Sequence, residues 1–236
     1  MTCRSAYILI TTLLLLFSQG VAKAEKKPFS QNLRIGAKGG VNFSKVIFLP
    51  SMKDPFTLKY NAGVVGRWIT ERHFGLQAEL SYSMRGWERE FINPQQIEAG
   101  YEYSRNLNYL ELPLMTHIYF GGKAFRCFFN LGPQVGLFLS DKETTNIKPS
   151  VNYPEVGKAI ENKFDWGICG GGGMEIFSKT GSYIVEARYY YGLGNIFKNS
   201  RDIENEVRKD PFSQSSISVI SVNFTYLIPI SSKKGK

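Results

Sequence analysis

Residues Phe74 to Gly86 read F-G-L-Q-A-E-L-S-Y-S-M-R-G and alternate strictly between two classes of side chain. One parity carries Phe, Leu, Ala, Tyr and Met, and the other carries Gly, Gln, Glu, Ser and Arg. This period of two predicts a β-strand. At 13 residues it exceeds the usual globular strand of about 5 to 6 residues, and it reaches the roughly 9 to 11 that a tilted strand needs to cross a bilayer.

The same alternation recurs and predicts eight strands, separated by connections of 16, 4, 18, 4, 22, 4 and 19 residues. Seven of the strands are Leu33–Phe43, Tyr60–Ile69, Phe74–Gly86, Arg105–Phe120, Phe125–Ser140, Lys163–Phe177 and Ser213–Ile228, and another lies between the turn at 178–181 and the loop at 194–212. Alternating long and short connections are typical of outer-membrane barrels and unusual in a compact soluble domain. We therefore predict an all-β fold, an eight-stranded antiparallel up-and-down transmembrane β-barrel.

Alternation alone does not distinguish a membrane barrel from a soluble lipocalin-type barrel, because the two exchange which face is apolar. Three features favour the membrane. The polar faces consist of Gly, Ser, Gln, Asn and isolated charges, the connections alternate in length, and large aromatic residues cluster towards strand ends, as interfacial girdles do. These aromatic residues are Trp68, Phe74, Phe125, Phe164, Trp166, Tyr183, Tyr191 and Tyr226.

An eight-stranded barrel is just wide enough for side chains to fill, so we expect no open pore. Charges inside must compensate each other, because an unpaired buried charge costs several kcal/mol. Five basic and five acidic residues share the inward parity, and we predict that they form a self-neutralising interior network. They are Arg34, Lys38, Arg67, Glu79, Arg85, Glu111, Asp165, Glu175, Glu186 and Arg188.

Pro113 lies in the middle of the fourth predicted strand. Proline has no N–H group to donate to the ladder, so we expect a bulge or a local bend there.

The first 24 residues have the features of a secretory signal peptide. Arg4 precedes a ten-residue apolar core, Ile8 to Phe17, and Ala22-Lys23-Ala24 forms an A-x-A site, so we expect cleavage after Ala24. The apolar core is too short for a membrane-spanning helix, and no later segment is apolar for 18 residues. Residues 25–236 then form a single barrel domain in the outer membrane.

Without Arg4 and Lys23, the chain has 27 basic and 20 acidic residues, a net charge of +7. This excess suits an anionic membrane surface or glycolipid, although a solvated surface of mixed charge is the simpler interpretation. No basic block is interleaved with aromatic residues, so nucleic-acid binding is not expected.

Cys127 and Cys169 lie on opposite parities of consecutive strands, and we expect two free buried thiols.

Five segments together resemble the porin-like, PorT-like outer-membrane β-barrel family of Gram-negative bacteria. They are I-G-A-K-G-G-V-N-F-S (35–44), G-L-Q-A-E-L-S-Y-S-M-R-G (75–86), N-Y-L-E-L-P-L (108–114), L-G-P-Q-V-G-L-F-L-S (131–140) and E-A-R-Y-Y-Y-G-L-G-N-I (186–196). The resemblance implies a barrel in the outer membrane, and one branch of that family serves protein secretion. The sequence departs from the family at its end, where P-I-S-S-K-K-G-K replaces a terminal aromatic residue.

Catalytic, cofactor and metal sites are not expected. Some eight-stranded barrels hydrolyse lipids with a His, a Ser and an acid, but the chain offers only His73 in a turn and His117 near the inner end. Gly170 to Gly173 precede more strand rather than a helix, so they favour close backbone approach over a phosphate site. Glu111 and Arg188 are candidate ligand-binding groups, and ion pairing inside the barrel is the simpler role.

Three functions remain open from the sequence. The first is a non-enzymatic barrel that binds or anchors through its outer loops, or supports the membrane, with outer-membrane lipid or lipopolysaccharide as its surroundings. The second is a component of a secretion or surface-assembly complex with protein partners. The third, an outer-membrane lipid hydrolase, has the least support, and aromatic residues on the surface could alternatively form a carbohydrate platform.

Overall fold

The computed structural model describes residues 32–49, 55–91, 101–122, 124–145, 156–198 and 214–232. The predicted signal peptide and its cleavage after Ala24 lie outside these ranges. Within them, no helix is long and apolar enough to cross a membrane.

The described chain folds into eight antiparallel strands that form a closed ring. They are β1 (Asn32–Leu49), β2 (Thr57–Glu71), β3 (Phe74–Phe91), β4 (Tyr101–Gly121), β5 (Phe125–Thr145), β6 (Phe164–Phe177), β7 (Ser182–Gly192) and β8 (Gln214–Ser232). Each strand pairs with its neighbour in sequence, and β1 pairs with β8 from Leu49↔Gln214 to Asn32↔Ser232. Closure leaves no sheet edge unpaired, which the bilayer requires. The predicted fold is confirmed.

Side chains alternate between the interior of the ring and its outer surface. In β7, every second residue from Ser182 to Gly192 is buried, and the residues between them are exposed. The exposed face is apolar: Ile168 and Met174 of β6, for example, are each 51% exposed. The inner face carries the buried charges. This polarity belongs to a membrane barrel, because a soluble lipocalin-type barrel has its apolar face inside.

The predicted girdle residues lie on the outer surface near the two ends of the strands. Six are exposed, namely Trp68, Phe125, Phe164, Trp166, Tyr183 and Tyr191, and Phe74 and Tyr226 are half-buried. At the end with short turns, the rings of Tyr183 and Tyr226 lie 4.9 Å apart. Amphipathic rings at both ends of an apolar band fit the two membrane interfaces.

Five strands continue further towards the long loops than the sequence predicted. β1 reaches Leu49 rather than Phe43, β3 reaches Phe91 rather than Gly86, and β5 reaches Thr145 rather than Ser140. β2 and β4 begin earlier, at Thr57 and Tyr101. The first three long loops are correspondingly shorter than predicted. The outward-facing residues of these extensions include Glu88, Glu102 and Ser104, whose polarity resembles that of a loop.

The bulge predicted at Pro113 is not present. Ala78↔Leu114 and Ser81↔Glu111 keep the same register on either side of the proline, and the two intervening pairs of that ladder are missing. Pro113 removes a donor without shifting the strand. The register shift of β4 lies instead between Asn108 and Tyr109, against β5.

The prediction that both cysteines are free is confirmed, but the prediction that both are buried holds for only one of them. Both thiols are free, and Cys169 is buried, but Cys127 is only half-buried. Cys127 shares the outward parity of Phe125 and Phe129, so its side chain lies on the lipid-facing surface.

Candidate functional site

The structure places all ten charged residues of the predicted interior network in ion pairs inside the barrel. Nine are buried, and the side chain of Arg34 is 14% exposed. The ten residues form three groups stacked along the barrel axis. The groups bring together strands that are far apart in sequence, because inward side chains meet across the lumen.

The group nearest the short turns centres on Glu175. Its two carboxylate oxygens accept hydrogen bonds from Arg34 at 2.9 Å and from Arg67 at 3.1 Å. The Nε of Arg67 also donates to Gln77 at 2.7 Å. One carboxylate of β6 is thus shared by guanidinium groups from β1 and β2.

The middle group centres on Glu79 of β3. Lys38 donates to it at 2.6 Å, and Arg188 donates two hydrogen bonds at 2.8 and 3.0 Å. Arg188 also pairs with Glu186 at 2.8 Å. Hydrogen bonds between ionised groups are stronger than neutral ones, and the two-pronged Arg–Glu contact fixes the orientation of both side chains.

The outer group centres on Arg85, which pairs with Glu111 and with Asp165, each at 2.7 Å. Its guanidinium lies over the ring of Tyr109 at 5.1 Å and over that of Tyr190 at 4.4 Å. The Tyr190 hydroxyl donates to Asp165 at 2.7 Å. Arg85 is therefore held by two carboxylates and two aromatic rings.

Side chains fill the middle of the barrel almost completely. The cavity beside the middle and outer groups has a volume of only about 20 Å³, which is room for about one water molecule. Glu111 and Arg188, the two candidate ligand-binding residues, both have their charges bound by other members of the network. The interior thus offers no channel through this layer and no free charged group at these two positions.

Above the network, towards the long loops, the interior becomes apolar and aromatic. The buried cluster comprises Val46, Phe48, Trp87, Tyr103, Leu107, Tyr109, Met115, Ile160, Cys169, Tyr190, Ile196, Phe197, Ile217 and Val219. Met115 and Cys169 extend it inward beside the network, where Met115 lies opposite Gln77. Phe48 contacts the ring of Trp87 edge-on at 5.6 Å and stacks on that of Phe197 at 6.5 Å. The segments 156–162 and 193–198 cover the cluster, and they are joined by a hydrogen bond from Asn162 N to Ile196 O at 3.1 Å.

The sequence analysis missed this cluster because it assigned Trp87 and Tyr103 to a loop. A signal was available, since Arg85, Trp87 and Arg89 continue the inward parity of β3. Likewise, Tyr103, Arg105 and Leu107 continue the inward parity of β4. Alternation with large aromatic residues inside and polar residues outside would have revealed these extensions.

A cavity of about 480 Å³ lies at the outer end, among the extensions of β3, β4 and β5. Its described lining is mostly polar: Pro55, Glu88, Arg89, Glu102, Tyr103, Ser104, Thr144 and Thr145. This volume falls within the range of small-molecule sites, about 300 to 1,000 Å³. The cavity therefore has room for a ligand of moderate size.

Ion pairs hold the walls of the outer cavity. Lys59 pairs with Glu88 at 2.8 Å, and Arg105 pairs with Asp141 at 2.5 Å and with Glu143 at 2.7 Å. The Tyr103 hydroxyl donates to Glu143 at 2.9 Å. Burial raises the pKa of Tyr103, so its hydroxyl remains protonated and able to donate.

The two histidines are far from this cavity. His117 is fully buried towards the short turns, with Nδ1 2.8 Å from Asn130 Oδ1 and its ring against Tyr119 and Phe128. His73 lies exposed in the β2–β3 turn. In the part of the chain that the structure describes, no group of three or more His, Cys, Asp or Glu residues is placed to hold a metal ion.

Gly170 to Gly173 lie within β6 and pair with Tyr189 to Glu186 of β7. A Cβ atom at Gly173 would lie 2.7 Å from the ring of Phe128, so these glycines allow close packing inside the barrel. They form strand, not a phosphate-binding loop.

A family model, the outer membrane protein beta-barrel domain, matches residues 24–198. The chain belongs to this family. Together with the apolar outer surface, this places the protein in the outer membrane. The eighth strand, β8, lies beyond the matched residues and completes the ring.

Similar solved structures include OprG from Pseudomonas aeruginosa, 11% identical over 85% of this chain and 93% of its own, with a TM-score of 0.44. Ail from Yersinia pestis is 12% identical over 84% of this chain and 98% of its own, with a TM-score of 0.39. Neisserial surface protein A is 8% identical over 82% of this chain and 96% of its own, with a TM-score of 0.41. No curated protein matches the chain.

Proposed function

We propose that this protein is a non-enzymatic outer-membrane barrel that binds a polar ligand at its outer end and is not a channel. Two observations carry this proposal: a cavity of 480 Å³ lies at the outer ends of the strands, and side chains fill the interior of the barrel. Of its lining, Tyr103 belongs to the buried aromatic cluster, whereas Glu88, Ser104 and Thr144 lie in one row on the outward face of the extensions. Binding, and not passage, is what this arrangement supports.

The lining of the cavity indicates the class of ligand. Ser104, Thr144 and Thr145 supply hydroxyl groups, and Glu88 and Arg89 supply opposite charges. Such a surface suits a ligand with many hydroxyl groups, because hydroxyls both donate and accept hydrogen bonds. Lipopolysaccharide sugars and other glycans have this chemistry, and they are present at the outer surface.

A substitution that fills the cavity tests the proposal. We expect purified wild-type protein in detergent to bind lipopolysaccharide or members of a glycan array saturably, and Thr144→Trp to abolish that binding by occupying the site. The control is Lys142→Trp, two residues away on the same face of β5 and outside the cavity lining. Binding that persists in Thr144→Trp, or the absence of any glycan binding by the wild type, would contradict the proposal.

The closed interior gives a second test of the same proposal. Protein reconstituted in planar lipid bilayers is expected to show no steady ion conductance, because three layers of ion pairs and an aromatic cluster occupy the lumen. Stable, voltage-independent channels of uniform size would refute this expectation. A heat-modifiability gel of the same sample verifies that the barrel is folded.

The alternative function is a PorT-like component of a secretion or surface-assembly complex. It is supported by the resemblance of the five strand segments and by the strands that extend beyond the lipid, where a partner protein could bind. Isolation of the tagged protein from outer membranes in mild detergent separates the two proposals. Partner proteins recovered in stoichiometric amounts would favour the complex, and their absence would favour the ligand-binding barrel.

A further inference from the structure

Inside the barrel, at the end with the short turns, lies an arginine that is not one of the ten network residues. Arg126, near the start of β5, is half-buried and has inward parity. Its guanidinium carbon lies 4.6 Å from the ring centre of Tyr119 and 4.7 Å from that of Phe177. The guanidinium carbon of Arg34 lies 4.9 Å from the same Phe177 ring. Two cationic groups from β1 and β5 thus converge on one aromatic side chain.

The carboxylates near Arg126 are already occupied. Glu175, its partner in the β5–β6 register, binds Arg34 and Arg67 instead. No described carboxylate forms an ion pair with Arg126, and Glu186, further inside, is bound to Arg188. Arg34 and Arg67 therefore share Glu175, and Arg126 forms no ion pair with a described residue.

This imbalance contrasts with the rest of the interior. The network of ten contains five positive and five negative residues. Arg126 adds a positive charge, and no acidic residue of the network pairs with it. In addition, the Nε of Arg34 is buried and has no acceptor. An unsatisfied donor beside an unpaired cation is an arrangement that a bound anion would complete.

The site is accessible from one side only. Arg126 and Phe177 adjoin the turns at 122–124 and 178–181, and short turns face the periplasm in outer-membrane barrels. At the same end, a buried cluster of Val65, Ile69, Tyr119, Phe128, Ile184 and Leu227 fills part of the lumen, and the three groups of ion pairs lie further in. An anion can enter from the periplasm but cannot pass further.

We propose that the periplasmic mouth binds an oxyanion, a phosphate or a carboxylate, between the guanidinium groups of Arg126 and Arg34. Planar guanidinium groups donate paired hydrogen bonds that match the oxygens of these anions. The rings of Tyr119 and Phe177 hold the Arg126 guanidinium in place. The anion is either a soluble periplasmic solute or the phosphate of a lipid headgroup, and these share the same chemistry.

Inorganic phosphate is the probe for the first experiment. Its binding to the full-length protein in a phosphate-free detergent is measured by calorimetry and by phosphorus NMR line broadening, at constant ionic strength against chloride. We expect saturable binding that Arg126→Gln weakens at least tenfold. Arg72→Gln is the matched control, because Arg72 is an exposed arginine in the β2–β3 turn at the same end. Its binding is expected to equal that of the wild type.

Two results would overturn the proposal. One is no saturable phosphate binding by the wild type, and the other is an equal loss in Arg126→Gln and Arg72→Gln, which would indicate general attraction by surface charge. The heat-shifted band on a gel verifies folding of each variant. If Arg126→Gln does not fold, Arg126→Lys keeps the charge but loses the planar donor pair, and it is expected to weaken binding severalfold.

Nanodiscs distinguish the two sources of the anion. If a lipid headgroup occupies the site, nanodiscs of phosphatidylglycerol will weaken the binding of inorganic phosphate relative to detergent. If the natural ligand is a soluble solute, the affinity will be the same in both. Either outcome supports the site, provided that Arg126→Gln removes phosphate binding in detergent.

Discussion

The two halves of β4 differ in which face is apolar. Between Leu110 and Phe120, the outward side chains are mainly apolar, and the inward ones include Glu111 and His117. Between residues 102 and 108, the outward side chains are all polar, and the inward ones include Tyr103 and Leu107. The same strand thus has the polarity of a membrane barrel in one half and that of a soluble barrel in the other.

The difference follows from the solvent around each half. Lipid accepts Leu112 and Leu114 on the outside, so the lumen is left to polar groups that must satisfy one another. Beyond the lipid, water surrounds the outside, and burial of aromatic side chains inside becomes the favourable arrangement. The register shift between Asn108 and Tyr109 lies at the boundary between the two halves.

The largest expected effect comes from the polar layer. Glu79→Ala removes the carboxylate shared by Lys38 and Arg188 and leaves two buried cations short of a partner. We expect a loss of about 3 to 5 kcal/mol in the free energy of unfolding. Urea titration in micelles or liposomes, followed on heat-modifiability gels, measures it. Glu71→Ala, exposed in a periplasmic turn, should change stability by no more than about 0.5 kcal/mol.

Two variants test the reversal of polarity along β4. Each introduces an arginine on the outward face, one on either side of the register shift between Asn108 and Tyr109. Leu114→Arg puts a charge into the lipid-facing surface of β4 and should cost about 2 to 4 kcal/mol near the bilayer centre. Asn106→Arg puts the same charge on the same face above the lipid, where about 0 to 1 kcal/mol is expected. Equal costs at both positions would show that the outer half of β4 also lies in lipid.

The aromatic cluster is tested by shortening a buried side chain in it. Leu107 is fully buried, and Leu107→Ala leaves a cavity beneath the outer mouth. We expect a loss of about 2 kcal/mol, the low end of the range for buried leucine, because the covering segments can move inward. Leu76→Ala, with its side chain exposed to lipid, serves as the control and should lose less. A larger loss at Leu76 would contradict a packed outer core.

The part of the fold inside the lipid could be predicted from the sequence because its alternation is unambiguous. Leu76, Ala78 and Leu80 alternate with Gln77 and Glu79 in β3, and parity alone placed the ten charged residues in the lumen. The extensions could not be predicted from an apolar pattern, since Glu102 and Ser104 resemble loop residues. Nor could parity tell which charges pair, because Arg85 reaches Asp165 only through the curvature of the closed ring. Arg126 was missed because it lies beside a predicted turn.

The smallest predicted effect concerns the hydrogen bond at the wall of the outer cavity. Tyr103→Phe removes the hydroxyl that donates to Glu143, but Glu143 keeps its ion pair with Arg105. Hydrogen bonds to charged groups contribute about 1.5 to 3 kcal/mol, and the remaining partner reduces the expected loss to about 1 kcal/mol. Unfolding in urea measures this change, with Tyr82→Phe on the lipid-facing surface as the control. Because the ring stays in the cluster, a loss as large as that of Leu107→Ala would mean that the polar wall, and not the apolar packing, holds the outer half of the barrel together.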